Sequence, residues 1–78
     1  MPHTARDIRE TLMSSDSEYR KLATEHSRYE AQLEQLQLQS YRDSEDLIME
    51  ITIKKMKLRL KDRMEHIVAR YLSEPTYH

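Results

Sequence analysis

The chain has 78 residues, 35% of them charged, a formal net charge of −1, and no glycine, cysteine, tryptophan or phenylalanine. Without glycine, tight hairpins, Walker-type phosphate loops and dinucleotide-binding turns lose the residue that adopts their left-handed geometry, which argues strongly against sheet-rich folds and those phosphate-binding motifs. Without cysteine there is no disulfide, thiolate zinc site or cysteine nucleophile, and the length bounds the chain to one domain with a marginal core.

Pro2 and Pro75 bracket an interior free of helix breakers, and the pattern predicts a single helical domain over residues 1–78. A short helix is expected over Thr4–Met13. Thr4 and Asp7 have capping-box spacing, and Ile8 and Leu12 form one apolar stripe. The run Ser14-Ser15-Asp16-Ser17 offers several N-caps in succession, so a break is favoured over a continuous helix there. Helix one follows over Asp16–Gln39, with the seam Tyr19, Leu22, His26, Tyr29, Leu33 and Leu36 at alternating steps of three and four. A turn is expected at Ser40–Asp43, with Ser44 as N-cap and Glu45 and Asp46 at the positive helix end. Helix two is expected over Ser44–Leu72, with the stripe Met49, Ile53, Met56, Leu60, Met64, Ile67 and Tyr71 on one side. A frayed tail follows over Ser73–His78.

The two stripes agree on one antiparallel register. Leu33 falls opposite Met49, Tyr29 opposite Ile53, His26 opposite Met56, Leu22 opposite Leu60 and Tyr19 opposite Met64. Glu25 is expected to meet Arg59, and Glu18 to meet Arg63 or His66; such wet pairs set orientation more than stability. The fold class is therefore all-α, a coiled-coil-like antiparallel two-helix hairpin with a short N-terminal helix.

One hairpin offers little apolar area against the entropy of ordering the chain. Leu47, Ile51 and Leu58 form a second apolar line on the outside of helix two, and Ala31 and Leu38 lie on the outside of helix one. Assembly of hairpins into a bundle through these residues is expected. Scattered surface apolars are the bland alternative. Ile8 and Leu12 are also placed to fold back near Val68, Tyr71 and Leu72.

The run Ile53-Lys54-Lys55-Met56-Lys57-Leu58-Arg59-Leu60-Lys61-Asp62-Arg63-Met64 resembles the signature of the YdcH-like family of small bacterial proteins, roughly L-K-x-x-K-L-x-L-K-D-x-I. Upstream, Tyr19, Leu22 and His26 resemble that family's aromatic-x-x-Leu-x-x-x-His stretch. The departures are Ile53 for Leu, Met64 for Ile, and Tyr29 where Leu is usual. The resemblance covers roughly Ile8 to Leu72. It implies a helical hairpin in a bacterial cytoplasm and implies no activity.

Six bases, Lys54, Lys55, Lys57, Arg59, Lys61 and Arg63, are opposed within their run only by Asp62. A phosphate-binding strip is one reading. Their split over both sides of the seam, the near-neutral net charge and the lack of interleaved exposed aromatics favour solvated coiled-coil flanks. Lys57 and Lys61 have the fewest evident partners and are the candidate basic contact. His26 suggests a pH switch or a metal or haem ligand, but no second His lies at i+4 or opposite it, so a register-setting polar residue is favoured. The Met49, Met56 and Met64 stripe reads as core rather than a cofactor box. No carboxylate pair or Ser–His constellation sits in a cleft, so no catalytic, cofactor or metal residues are assigned and no enzymatic activity is expected.

The expected function is a non-enzymatic, self-associating coiled-coil adaptor. It would be a homo-oligomer that also contacts another cytoplasmic protein, without cofactor or membrane span. A nucleic-acid-binding accessory protein is the alternative, and a membrane-surface or haem-carrying helix is the third reading.

Overall fold

A computed structural model describes residues 5–40 and 42–73. Thr4 with its capping box, Tyr41 of the expected turn and the tail 74–78 lie outside the described residues. The architecture is all-helical: α1 (Ala5–Ser15), α2 (Ser17–Gln37) and α3 (Ser44–Ser73). α3 packs against α2, and α1 packs on both.

A single residue separates α1 from α2. Asp16 is extended (φ −117°, ψ 110°) and its carboxylate accepts the Tyr19 amide at 2.8 Å, so it caps α2. This is the geometry that satisfies a free first-turn N–H. Ser14 and Ser15, also candidate caps, do something else. Their hydroxyls donate back to the carbonyls of Glu10 and Thr11, as serines inside a helix do, and α1 runs past the expected end at Met13 to Ser15. Arg20 reaches back over the break. Its guanidinium donates to the Met13 carbonyl at 2.8 Å and the Ser14 carbonyl at 3.4 Å, covering the C-terminal end of α1.

α2 ends without a residue in the left-handed conformation, which glycine would adopt most readily. Leu38 stays right-handed (φ −79°, ψ −13°), and its N–H donates to the Glu34 carbonyl at 3.1 Å. Helix one thus stops at Gln37 rather than Gln39. At the start of α3 the cap is Asp43, not Ser44. Asp43 Oδ1 accepts the Asp46 N–H at 2.9 Å, and Asp46 Oδ2 accepts the Asp43 N–H at 3.2 Å. This reciprocal pair satisfies two backbone donors at once. Carboxylates here also favour the positive helix end, and Ser44 becomes the first helical residue.

The main core lies at the end of the hairpin remote from the α2–α3 connection. Ile8 and Leu12 of α1 pack with Tyr19 and Leu22 of α2 and Leu60, Ile67 and Val68 of α3, with Tyr29 and Met64 packed at the margin. Of the other expected contacts of α1, Tyr71 is partly covered and lines a small cleft with Leu12, while Leu72 remains largely exposed. Arg9 donates to Glu65 at 2.7 Å, tying α1 to α3 across the chain. Burial pushes the Tyr19 phenol above its ordinary 10.0, with Arg9 opposing and Glu65 adding to the shift.

Leu12→Ala should therefore cost about 2–4 kcal/mol, as deletion of a buried leucine does. Met13→Ala, at an exposed neighbour, should stay within about 0.5 kcal/mol. Urea titration followed by helical circular dichroism distinguishes them; equal effects would remove α1 from the core.

Candidate interaction face

α1 has 11 residues and covers only the far end of the hairpin. Towards the connection, α2 and α3 have only each other, and two helices side by side bury one stripe each. Leu33, Leu36 and Ile53 are buried there.

Of the expected seam, Tyr19, Leu22, Leu33, Leu36, Ile53, Leu60 and Ile67 are buried, while His26, Tyr29, Met56 and Met64 are half-buried. Met49 is the exception: it is 54% exposed. It lies five residues into α3, beside the open end of the hairpin, where no third helix closes over the seam. His26 is held by its own helix, with Nδ1 3.1 Å from Glu30 Oε1.

The outer line of α3 is exposed throughout. Leu47 is 49% exposed, Ile51 55% and Leu58 58%, and Ile48, which periodicity alone did not single out, is 63% exposed. At about 100° per residue, Leu47, Ile51 and Leu58 point within roughly 40° of one another, away from the side of Ile53 and Leu60 that meets α2. Ile48 extends the patch on one flank. It sits three residues before Ile51, and that spacing is the signal that could have found it. Ala31 and Leu38 are exposed as well. They lie on the side of α2 turned away from α3, so the structure separates the five expected face residues into two opposite surfaces. The α3 surface is the apolar one. Ala31 is small and Leu38 belongs to the connection.

Charges beside this surface differ in part from the expected pairs. Glu18 meets Arg63 at 3.8 Å, whereas Glu25 and Arg59 form no ion pair among the described residues. Lys57, expected to be nearly unpartnered, lies 3.9 Å from Glu30. Lys61 is exposed and has no ion pair among the described residues. The basic run is thus partly neutralised by α2 and by α3 itself, where Lys54 meets Glu50 at 3.1 Å. A groove of about 510 Å³ between the three helices is lined by Arg9, Tyr19, His26, Lys57, Lys61 and Met64, among others. Arg9 and Lys57 are already turned to carboxylates within it. Among the described residues, no group of three or more His, Cys, Asp or Glu could hold a metal ion, and no helix is long and apolar enough to cross a membrane.

Glu50 fastens the connection to α3. It pairs with Arg42, from the connection, and with Lys54 one turn on. The hydrogen bond from Lys54 is the largest influence on its carboxyl and holds it below its ordinary 4.5. Burial opposes that shift, and the charges of Lys54 and Arg42 and a hydrogen bond from Gln37 reinforce it. A carboxylate depressed on folding stabilises the fold fully above its unfolded value, and this contribution is lost as pH falls through the folded value. Thermal melts should therefore decline below about pH 4.5, and Glu50→Gln should flatten that decline; an identical acid limb in the variant would show that Glu50 does not contribute. No family model, curated protein or solved structure matches the chain.

Proposed function

We propose that the protein is a non-enzymatic helical interaction module that self-associates through the outer face of α3. The observation that carries this reading is the asymmetry of burial. One end of the hairpin is covered by α1, while the other leaves Leu47, Ile48, Ile51 and Leu58 each about half or more exposed on one side of one helix. A contiguous aliphatic patch of this kind marks a contact surface more often than scattered single side chains do. A second copy supplies the missing layer, since each copy carries the same unsatisfied face.

The size of the patch sets the expected strength. Four half-exposed side chains leave roughly 250 Å² of apolar surface per copy, so a pair would gain on the order of 10 kcal/mol gross at about 25 cal/mol/Å². That is of the same size as the cost of immobilising two molecules, so association should be micromolar or weaker. The reading includes membership of the YdcH-like family, supported by the Ile53–Met64 run and, more weakly, by Tyr19, Leu22 and His26. It also favours a protein partner over nucleic acid, because the intrachain carboxylates at Lys54, Lys57 and Arg63 compete with phosphate.

Sedimentation at increasing protein concentration tests the proposal. The wild-type chain should shift from monomer to dimer or larger. Ile51→Glu with Leu58→Glu should remain monomeric while keeping its helical circular dichroism, since both side chains are exposed in the single chain. An unchanged oligomer in the double variant would overturn the assignment of this face.

A further inference from the structure

Charges along the edge of the apolar stripe specify how two copies would face each other. We propose that the copies pair antiparallel through α3, about a two-fold axis near Thr52, with the acidic start of each α3 lying along the basic middle of the other. This rests on the self-association proposed above and adds its orientation.

Asp43, Glu50, Lys54 and Lys61 follow one another at steps of seven, four and seven residues. These steps place them along a single shoulder of the stripe, from the cap into the helix. In order, the shoulder reads acid, acid, base, base. A two-fold axis reverses the order in the second copy, so Asp43 falls opposite the second copy's Lys61, and Glu50 opposite its Lys54. The same register, read from the apolar residues instead, sets Leu47 opposite the second copy's Leu58 and brings the two Ile51 side chains together near the axis. The two charge pairs share one offset, and the apolar pairs fall within one or two residues of it.

The groups retain capacity for these contacts. Lys61 is exposed and forms no ion pair among the described residues, and the Lys54 side chain is largely exposed. Asp43 uses Oδ1 for the Asp46 amide. A carboxylate offers about four lone-pair sites, so Asp43 still presents an acceptor at the edge. Glu50 is largely buried with Oε1 on Arg42 and Oε2 on Lys54, so its contact with the second copy's Lys54 exchanges one lysine for its equivalent.

The competing arrangement is a parallel pair in register. It lays the run from Lys54 to Arg63, which holds six bases and Asp62, beside the same run of the second copy. Like charges facing each other disfavour that arrangement, and opposite charges favour the antiparallel one. Each rim pair contributes little alone, so their role is to choose orientation and to make association salt-dependent.

The chain contains no cysteine, so introduced thiols report on contacts without background. Leu47→Cys with Leu58→Cys in one chain should form a covalent dimer under mild oxidation, and neither single variant should. Asp43→Cys with Lys61→Cys, the charged pair at that offset, leaves the apolar side chains in place and should cross-link likewise. Lys61→Glu, at a base that forms no ion pair among the described residues, should weaken association several-fold at low salt, with helical circular dichroism unchanged. Efficient cross-linking of Leu47→Cys alone, or a dimer in sedimentation that neither cysteine pair captures, would overturn the antiparallel orientation while leaving self-association standing. A chain that stays monomeric at every concentration, or that associates only with an added polyanion or an unrelated helix, would overturn both.

Discussion

Two α-helices laid side by side can each bury only one stripe, and a short chain made almost entirely of helix must find a third surface or leave apolar side chains in water. Here the third surface is supplied once. α1 crosses the hairpin at the end remote from the connection and inserts Ile8 and Leu12 among Tyr19, Leu22, Leu60, Ile67 and Val68. The other end receives no such cover. The core is therefore thick at one end and one row deep at the other, and the aliphatic side chains of α3 show where a further layer is missing.

Charged groups organise the ends of the helices more than their middles. Without glycine, the chain stops and restarts its helices with carboxylates and a guanidinium. Asp16 caps α2, Asp43 and Asp46 cap α3 reciprocally, and Arg20 covers the end of α1. Glu50, between Arg42 and Lys54, then fixes the connection against α3. Through this set of bonds the backbone satisfies donors and acceptors that a glycine-bearing chain would satisfy with left-handed turns.

Three helices, the break near Asp16 and the stripe of Ile8 and Leu12 could be read from periodicity and capping chemistry, because both act over a few residues. Details set by tertiary geometry could not. Met49 has the right spacing for the seam, yet it lies where nothing closes over it. The cap of α3 shifts from Ser44 to Asp43, because a second aspartate three residues on returns the bond, which a single-residue preference does not weigh. Arg9 with Glu65 depends on where α1 docks, which no local pattern encodes. Leu47, Ile51 and Leu58 were visible as a line on the outside of helix two, but Ile48 beside them was not.

The one extended residue between α1 and α2 has a consequence for topology. Were Asp16 helical, residues 5–37 would form one rod about 50 Å long, and Ile8 and Leu12 would be carried beyond the hairpin instead of across it. Three helices and two are thus separated by the dihedral angles of a single aspartate, held by the bond from the Tyr19 amide and by Arg20 reaching back across the break. A rod of that kind would expose Tyr19, Leu22 and Val68, and the readiest cover for them would be the displaced Ile8 and Leu12 of another molecule. Asp16 therefore keeps α1 folded over its own hairpin.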